Sequence, residues 1–313
     1  MAGKFPPAYM GAVVQGQALG GIFAAATNVI MLACGADAVS AAFYDFLIAI
    51  IFLISALAAF VVLMRTEFFQ YYANDSGNEA TENEADKEDE QLIADQVPQV
   101  IHKTSTLAIV QRIWVWIVAV FLTFLVCLAV FPSITAQVQS TASKSAWSTT
   151  YFIPVGCFLL FNVGDYIGRM LASFVQWPKA TYTGSLIILG LAVVRIGFIP
   201  LFLFCNAAPQ NRDLTYVSTL VLIHHLKKAL LKNSTLMNLF SFQVYFTNDA
   251  VYLIAMAVFS ISSGYIGSIV MMYGPKMMTT GEDQGRAASL LVFFLVFGLS
   301  VGSAFSKAIV ALL

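Results

Sequence analysis

The sequence predicts an all-α polytopic membrane protein with seven transmembrane helices. Hydrophobic residues make up 59% of the 313 residues and charged residues only 11%, against about 25% charged residues in a typical soluble domain. Seven apolar segments each reach the roughly 20 residues that a spanning helix needs. They are residues 8–33, 43–64, 107–130, 151–175, 183–205, 249–273 and 287–311.

The first segment is predicted to be a transmembrane helix, because it is too long and too rich in Gly and Gln for a signal peptide and lacks a clear basic start and cleavage site. It also carries small residues at every fourth position, a spacing that lets helix backbones approach closely. We expect ordinary helix packing wherever this spacing occurs. It occurs at Gly16, Gly20 and Ala24, at Gly264 and Ser268, and at Gly298 and Gly302.

One long polar segment, residues 65–106, separates the first two spans from the other five. Nine acidic residues fall between Asp75 and Asp95, a composition typical of a disordered loop. We interpret it as a solvated tether, with a regulatory or partner-binding segment as the alternative. The chain then divides into a two-helix unit at 1–64, this acidic loop, and a helical bundle at 107–313.

The Lys and Arg residues predict the orientation, because cytoplasmic loops carry an excess of both. With the acidic loop in the cytoplasm, eight basic residues collect on that side and the C-terminus is extracellular. The eight are Lys4, Arg65, Lys87, Lys103, Arg112, Lys179, Lys276 and Arg286. The opposite side collects Lys144, Arg212, Lys227, Lys228 and Lys232.

No metal, cofactor or enzymatic chemistry is predicted. The four Cys and three His lack metal-ligand spacing, and no Ser/His/Asp set is present. The four Cys lie in or beside apolar runs, which favours buried free thiols over a disulfide frame. The net charge of −1 does not indicate a nucleic-acid partner, so the lipid bilayer is the one partner that composition predicts.

The fourth apolar segment carries polar and charged residues where lipid is expected. Asn162, Asp165 and Arg169 lie at i, i+3 and i+7 and share one face of a helix. A charge at membrane depth costs at least roughly 2.5–3.5 kcal/mol, and Asp165 and Arg169 are spaced to pair with each other. We therefore expect this face to point into the protein and into a polar path.

Other polar residues in the spans have less certain roles. The first span contains Gln15, Gln17 and Asn28. A Gln side chain both donates and accepts hydrogen bonds, which suits the edge of a heterocycle, yet Gln also joins membrane helices to one another. Spacing alone leaves Gln17 open between these two roles. Arg195 is likewise open between a structural partner for Asp165 and a gate residue.

Several runs of residues together resemble the equilibrative nucleoside transporters. They are FNVGDYIGR at 161–169, PPAYMGAVVQGQALGGIFAA at 6–25, YFIPVGCFLLFN at 151–162, FPSITAQV at 131–138 and SSGYIGSIVMMYGPK at 262–276. The resemblance covers essentially the whole chain except about 220–243. It implies an eleven-helix fold related to the major facilitator architecture, with the seven spans as its fifth to eleventh helices. It also implies a cytoplasmic long loop and an extracellular C-terminus.

The resemblance further implies a substrate site for nucleosides. In that family the residues matching Asp165 and Arg169 hold the ribose hydroxyls, the residue matching Gln17 lies near the nucleobase, and Asn162 orients Asp165. A carboxylate can accept from a diol and a guanidinium can donate to its oxygens. The expected function is facilitative nucleoside transport by alternating access, most simply across the plasma membrane. A purely structural role for the Asp165–Arg169 pair is the alternative.

Two other functions stay open at this point. Proton-coupled transport of nucleosides or nucleobases is one, because Asp165 is titratable. A non-transporting truncated membrane protein that partners a full-length relative is the other, because the chain lacks counterparts of the family's first four helices. A fragment, a truncated isoform and an incomplete gene model would each explain that difference. Since alternating access needs two halves around a midplane site, we expect the chain alone to insert without supporting saturable nucleoside flux.

Residues 219–243 form an atypical insert relative to the family, basic and mildly amphipathic. An interfacial helix and a retained intron translated by mistake are the alternatives. Asn233 begins an Asn-Ser-Thr sequon on the predicted outer face and is a candidate glycosylation site.

Overall fold

The computed structural model describes residues 7–35, 38–67, 69–70, 105–142, 145–205, 246 and 248–312. Seven helices in this part of the chain are long and apolar enough to cross a membrane, so the predicted fold class is confirmed. Among the described residues, β-structure is limited to isolated bridge positions, at Val138 and between Cys205 and Phe246. Most of the acidic loop (71–104), the insert at 219–243 and Asn233 lie outside the described residues.

Within the described residues, the seven spans are built from eight α-helices and four irregular helical segments. The helices are α1 (Pro7–Ala33), α2 (Ala38–Met64), α3 (Thr106–Val130), α4 (Leu160–Phe174), α5 (Tyr182–Val194), α6 (Phe198–Leu203), α7 (Asp249–Tyr273) and α8 (Gly281–Leu312). A π-helical segment (Trp147–Leu159) runs directly into α4, and a 3₁₀ turn (Arg195–Gly197) joins α5 to α6. Each of these combinations forms one span.

Proline accounts for the π-helical segment before α4 and for the 3₁₀ turn after α5. Pro154 lies inside the π-helical segment, and Pro200 lies in α6 just after the 3₁₀ turn. Proline has no N–H to donate and its ring crowds the carbonyl four residues earlier, so a regular α-helix cannot run through it. The chain stays helical by widening to i→i+5 bonds before α4 and tightening to i→i+3 bonds after α5.

Side-chain caps determine where α5 and α7 begin. Thr181 Oγ1 accepts a 3.1 Å bond from the backbone N–H of Gly184, and Asn248 Oδ1 accepts a 2.9 Å bond from that of Ala250. Each cap satisfies one of the backbone donors that a helix leaves free at its start.

Apolar side chains fill the interior of the bundle in two clusters. One contains the buried Trp116, Ile266 and Leu291, and the other contains Phe202 and Tyr252 among its members. The surface of α2 is different: none of its membrane-span window is buried, and it packs mainly on α1. A surface of that composition is suited to lipid chains.

Glycine brings α8 into direct contact with α3. Gly298 and Gly302 of α8 lie against the backbone carbonyls of Phe121 and Leu125 of α3. The packing role predicted for these two small residues is therefore confirmed.

Glycine also brings α4 and α7 into backbone contact. A Cβ at Gly168 would overlap the carbonyl oxygen of Ile261, and a Cβ at Gly264 would overlap the carbonyl oxygen of Asp165. Because each obstacle is backbone, no side-chain rotation could make room. The packing role predicted for Gly264 is confirmed, and α4 is held against α7 at the level of Asp165.

The small residues of α1 do not pack against another helix as their spacing predicts. Gly16, Gly20 and Ala24 are exposed, and nothing outside the backbone of α1 lies within 4 Å of a Cβ built at Gly16 or Gly20. The packing prediction for this face is wrong within the described residues, because α1 meets the bundle through its opposite side. That side contains the buried Ala18 and Ala25.

The four Cys are free thiols, as expected, but they differ in exposure. Cys127, Cys157 and Cys205 are buried, and burial raises the pKa of the Cys205 thiol. Cys34 is exposed, because α1 ends at Ala33 and leaves it in the turn that follows.

We predict that Gly264→Ala lowers the melting temperature of the chain in detergent, because the new methyl group would force α7 away from α4. Overpacking of this kind costs about 1–3 kcal/mol. Gly190→Ala in α5 is the matched control, since nothing lies within 4 Å of a Cβ there. Equal melting temperatures for the two variants would contradict the backbone contact.

Candidate functional site

Helix α4 carries a polar stripe beside the face through which its glycines contact α7. Asn162, Asp165, Arg169 and Ser173 lie at i, i+3, i+7 and i+11, which keeps them on one face of the helix. Gly164 and Gly168 lie on the adjacent face, which packs on α7. This packing leaves the polar stripe uncovered by α7 backbone, and the stripe contacts α1.

Asp165 and Arg169 form an ion pair at the centre of this stripe. Arg169 Nε donates to Asp165 Oδ2 over 2.8 Å, and the two side chains are 17% and 15% exposed. A charge-assisted bond between partly buried groups is stronger than one between neutral groups. The pairing predicted from the spacing is confirmed, whereas substrate binding by the pair stays a prediction.

Asn162 lies where α1 touches the stripe. Its Nδ2 donates to the carbonyl oxygen of Phe158 over 2.8 Å, and its Oδ1 lies so close to Gly21 of α1 that a Cβ at position 21 would overlap it. A side chain at position 21 would therefore require Asn162 to move. The role of Asn162 in orienting Asp165 stays a prediction.

A second contact between α1 and α4 lies at the other end of the stripe. Gln15 Nε2 donates to Ser173 Oγ over 3.1 Å, and Ser173 Oγ donates to the carbonyl oxygen of Arg169 over 3.3 Å. Gln15 thus joins two helices, the alternative role considered for a membrane Gln. Sequence reasoning missed Ser173, although its position four residues after Arg169 placed it on the same face.

Gln17 lies near the contact between Gly21 and Asn162 but is not buried in it. It is exposed and lies four residues before Gly21, so it shares that side of α1. The side chain is about one helical turn from the Asn162 contact. Its predicted role near a nucleobase stays a prediction.

The ion pair accordingly lies between two contacts of α4 with α1. These are the Asn162–Gly21 contact at one end of the stripe and the Gln15–Ser173 bond at the other. Both contacts join residues 1–64 to residues 107–313. A carboxylate acceptor and guanidinium donors side by side suit an uncharged ligand that offers both kinds of group.

Arg195 is the largest polar side chain buried in the bundle, at 1% exposure. Its Nη1 donates to the carbonyl oxygen of Phe259 over 2.7 Å and to Ser262 Oγ, and its guanidinium carbon lies 4.5 Å from the centroid of the Phe259 ring. The 3₁₀ turn after α5 positions it against α7. None of the ion pairs within the described ranges includes Arg195.

A further polar contact joins α1 to α2. Asn28 Nδ2 donates to Asp45 Oδ2 over 3.2 Å. Sequence reasoning noted Asn28 but missed Asp45, which stands near the start of a long apolar run. The available signal was a single acid within a membrane span, a residue type that is rare there and usually functional.

The seven spans and the inward-facing ion pair define an integral membrane protein of the polytopic helical class. A family model described as "Nucleoside transporter" matches residues 1–311. The human protein named Equilibrative nucleoside transporter 1 is 30% identical over 319 residues, which cover 98% of this chain and 63% of that protein. Human Equilibrative nucleoside transporter 2 is 29% identical over 338 residues, 99% of this chain and 67% of that protein.

A rat relative, Equilibrative nucleoside transporter 3, is 27% identical over 320 residues, 97% of this chain and 58% of that protein. This chain belongs to the nucleoside transporter family. It spans about 58–67% of the length of these three relatives.

We predict that the variant Gly21→Cys/Asn162→Cys forms a disulfide between α1 and α4. A Cβ built at Gly21 lies 3.7 Å from the Cβ of Asn162, close to the mean of about 3.8 Å in disulfides. The exposed Cys34 is first replaced by Ser. After mild oxidation and proteolysis within residues 71–104, the two fragments should stay joined until reductant is added.

The matched control is Gly16→Cys/Asn162→Cys, since nothing of another helix lies near position 16. Cross-linking of the control, or fragments that separate in both variants, would contradict the described approach of α1 to α4.

Proposed function

We propose that this protein carries out facilitative transport of nucleosides across a membrane by alternating access. The observation that carries the proposal is the partly buried Asp165–Arg169 pair on the face of α4 that contacts α1, in a chain of the nucleoside transporter family. The relatives bear the names of equilibrative nucleoside transporters, which supports nucleosides as the substrates.

The chemistry of the pair suits the ribose of a nucleoside. Asp165 accepts from the two hydroxyl groups of the sugar, and Arg169 donates to their oxygens. Because the two charges neutralise each other, an uncharged substrate can enter and leave without stranding a buried ion. Asn162 lies one turn before Asp165 and orients it, while Gln17 of α1 forms a hydrogen bond with the nucleobase.

The packing supports a division of the molecule into two parts that move against each other. Glycine-mediated contact ties α4 to α7 and α8 to α3, which makes the bundle of residues 107–313 one of these two parts. The α1–α2 unit touches it through narrower polar contacts. Transporter sites lie between two such parts near the middle of the bilayer, and the substrate gradient alone drives the cycle.

The protein is an integral membrane protein, and we place it in the plasma membrane. The excess of Lys and Arg assigns residues 65–106 to the cytoplasm and the C-terminus to the extracellular side. Protease protection in sealed right-side-out vesicles tests this orientation, because a cytoplasmic acidic loop resists external protease there.

We predict that Asp165→Ala or Arg169→Ala reduces uptake of radiolabelled nucleoside more than tenfold, in cells expressing the native gene at equal surface level. Each change leaves one charge buried without its partner, a loss of about 3–5 kcal/mol in comparable pairs. Arg286→Ala is the matched control, because it breaks the exposed Glu282–Arg286 pair, which has the same i,i+4 spacing and a 2.6 Å contact.

The control variant should transport at the rate of the native protein. Unchanged uptake by a well-expressed Asp165→Ala variant would show that the ion pair has a structural role and does not bind substrate. Uptake that rises with an inward proton gradient would favour the coupled mechanism over facilitated diffusion.

We predict that Gln17→Ala acts more mildly and changes the preference among nucleobases. One neutral hydrogen bond contributes about 0.5–1.5 kcal/mol, so uptake of a preferred nucleoside should fall by roughly two- to twelvefold while others change less. Gln15→Ala is the comparison, since its bond to Ser173 predicts lower stability with an unaltered preference. An equal fall in the uptake of purine and pyrimidine nucleosides by Gln17→Ala would contradict a role for Gln17 in recognising the nucleobase.

A further inference from the structure

Two loops and the start of α3 meet at one end of the bundle. Tyr273 Oη, at the end of α7, donates to the carbonyl oxygen of Gln176 in the α4–α5 loop over 3.1 Å. Tyr265 Oη donates to the carbonyl oxygen of Trp177 in the same loop. Ile109, near the start of α3, belongs to the same buried cluster as Tyr273. In the orientation that the Lys and Arg residues predict, this end faces the cytoplasm.

Three exposed cations lie on the elements that meet here. Arg112 is less than two turns into α3, Lys179 is in the α4–α5 loop, and Lys276 is in the 3₁₀ turn (Pro275–Met277) between α7 and α8. None of the ion pairs in the described ranges includes any of the three. Lys276 Nζ lies 5.3 Å from the centroid of the Tyr273 ring, a contact that leaves its charge without a counter-ion.

The other charges at this end of the bundle do not offset these cations. Glu282 and Asp283, in the first turn of α8, both pair with Arg286. Helix α3 has no acid in its first turn, and the Ser105 side chain makes no capping hydrogen bond. The positive end of the α3 dipole therefore adds to the same field. Arg112, Lys179 and Lys276 together with the start of α3 are called the basic end below.

The acidic loop enters the bundle at the basic end. Ser105, which directly precedes α3, is the first described residue after that loop. The run from Asp75 to Asp95 contains nine acids and a single base, Lys87. Asp95 is ten residues before Ser105, so it stays within about 36 Å of it even when the chain is fully extended. A short tether of this kind gives an effective concentration on the order of millimolar.

We propose that the acidic run of residues 75–95 docks on the basic end of the bundle. Opposite charge favours the contact, and the tether keeps this occupant beside the surface, whereas an acidic partner protein or a lipid headgroup has to be recruited. The run joins residues 1–64 to residues 107–313, so docking shortens the connection between the two parts. The inference requires no substrate and stands apart from the proposed function.

The test uses Trp177, which is 57% exposed and lies two residues before Lys179. A bimane fluorophore, which tryptophan quenches at short range, is attached in turn to Asn83→Cys and Gln91→Cys of the 313-residue chain in detergent. Cys34→Ser is present throughout, and the other three native Cys are buried. Because a tethered contact stays populated, we expect Trp177→Phe to raise the emission at least about twofold.

Neutralising the basic end should abolish most of this quenching. The variant Arg112→Gln/Lys179→Gln/Lys276→Gln is expected to lose at least half of the emission difference between Trp177 and Trp177→Phe. Salt at 1 M should have the same effect on the native residues, because the Debye length then falls to about 3 Å, and this arm serves if the triple variant does not fold. Lys307→Gln is the matched control, since Lys307 is exposed near the other end of α8.

Three results would overturn the proposal. One is equal emission with Trp177 and with Trp177→Phe at both label positions. Another is quenching that survives both the triple substitution and high salt, or that Lys307→Gln reduces as much as the triple variant does. The third is loss of quenching when the chain is moved from phosphatidylcholine bilayers to bilayers that also contain phosphatidylserine, which would assign the three cations to lipid headgroups.

Discussion

The direct backbone contact between α4 and α7 is the constraint on which the rest of the site depends. Gly168 and Gly264 let the two helices meet without side chains between them, so α4 cannot rotate about its own axis. Its polar stripe is thereby fixed toward α1. A Leu-to-Leu interface of the usual width would have left room for α4 to turn, and the charged residues of the stripe would then have had no defined direction.

The second constraint is the shortage of water around a membrane helix. Several polar groups in the described spans bond to one another: Gln15 bonds Ser173, Asn28 bonds Asp45, and Arg169 bonds Asp165. Within the same part of the chain, Arg195 has two of its three guanidinium nitrogens buried without a hydrogen-bond partner, and Ser268 Oγ is also buried without one. Most of these polar contacts join two helices, α1 with α4, α1 with α2, and the turn after α5 with α7.

The seven spans and the Asp165–Arg169 pair could be predicted from sequence because both follow from local spacing. Hydropathy over about 20 residues is a local property, and so is the four-residue separation of two charges on a helix. Which face of α1 meets the bundle could not be predicted in this way. Gly16, Gly20 and Gly21 are equivalent as residues, and only the position of α4 selects Gly21. The contacts that anchor Arg195 could not be predicted for the same reason, since Phe259 and Ser262 are more than sixty residues away along the chain.

The π-helical segment before α4 has a consequence for how this span tolerates changes in length. In a regular α-helix, deletion of one residue rotates everything after it by about 100°, which would turn Asp165 from α1 toward a neighbouring helix. A π turn holds one residue more than an α turn. A deletion between Trp147 and Leu159 could therefore be absorbed by converting a wide turn to a normal one, leaving the phase of α4 unchanged. The segment around Pro154 can therefore change in length without rotating the polar stripe of α4.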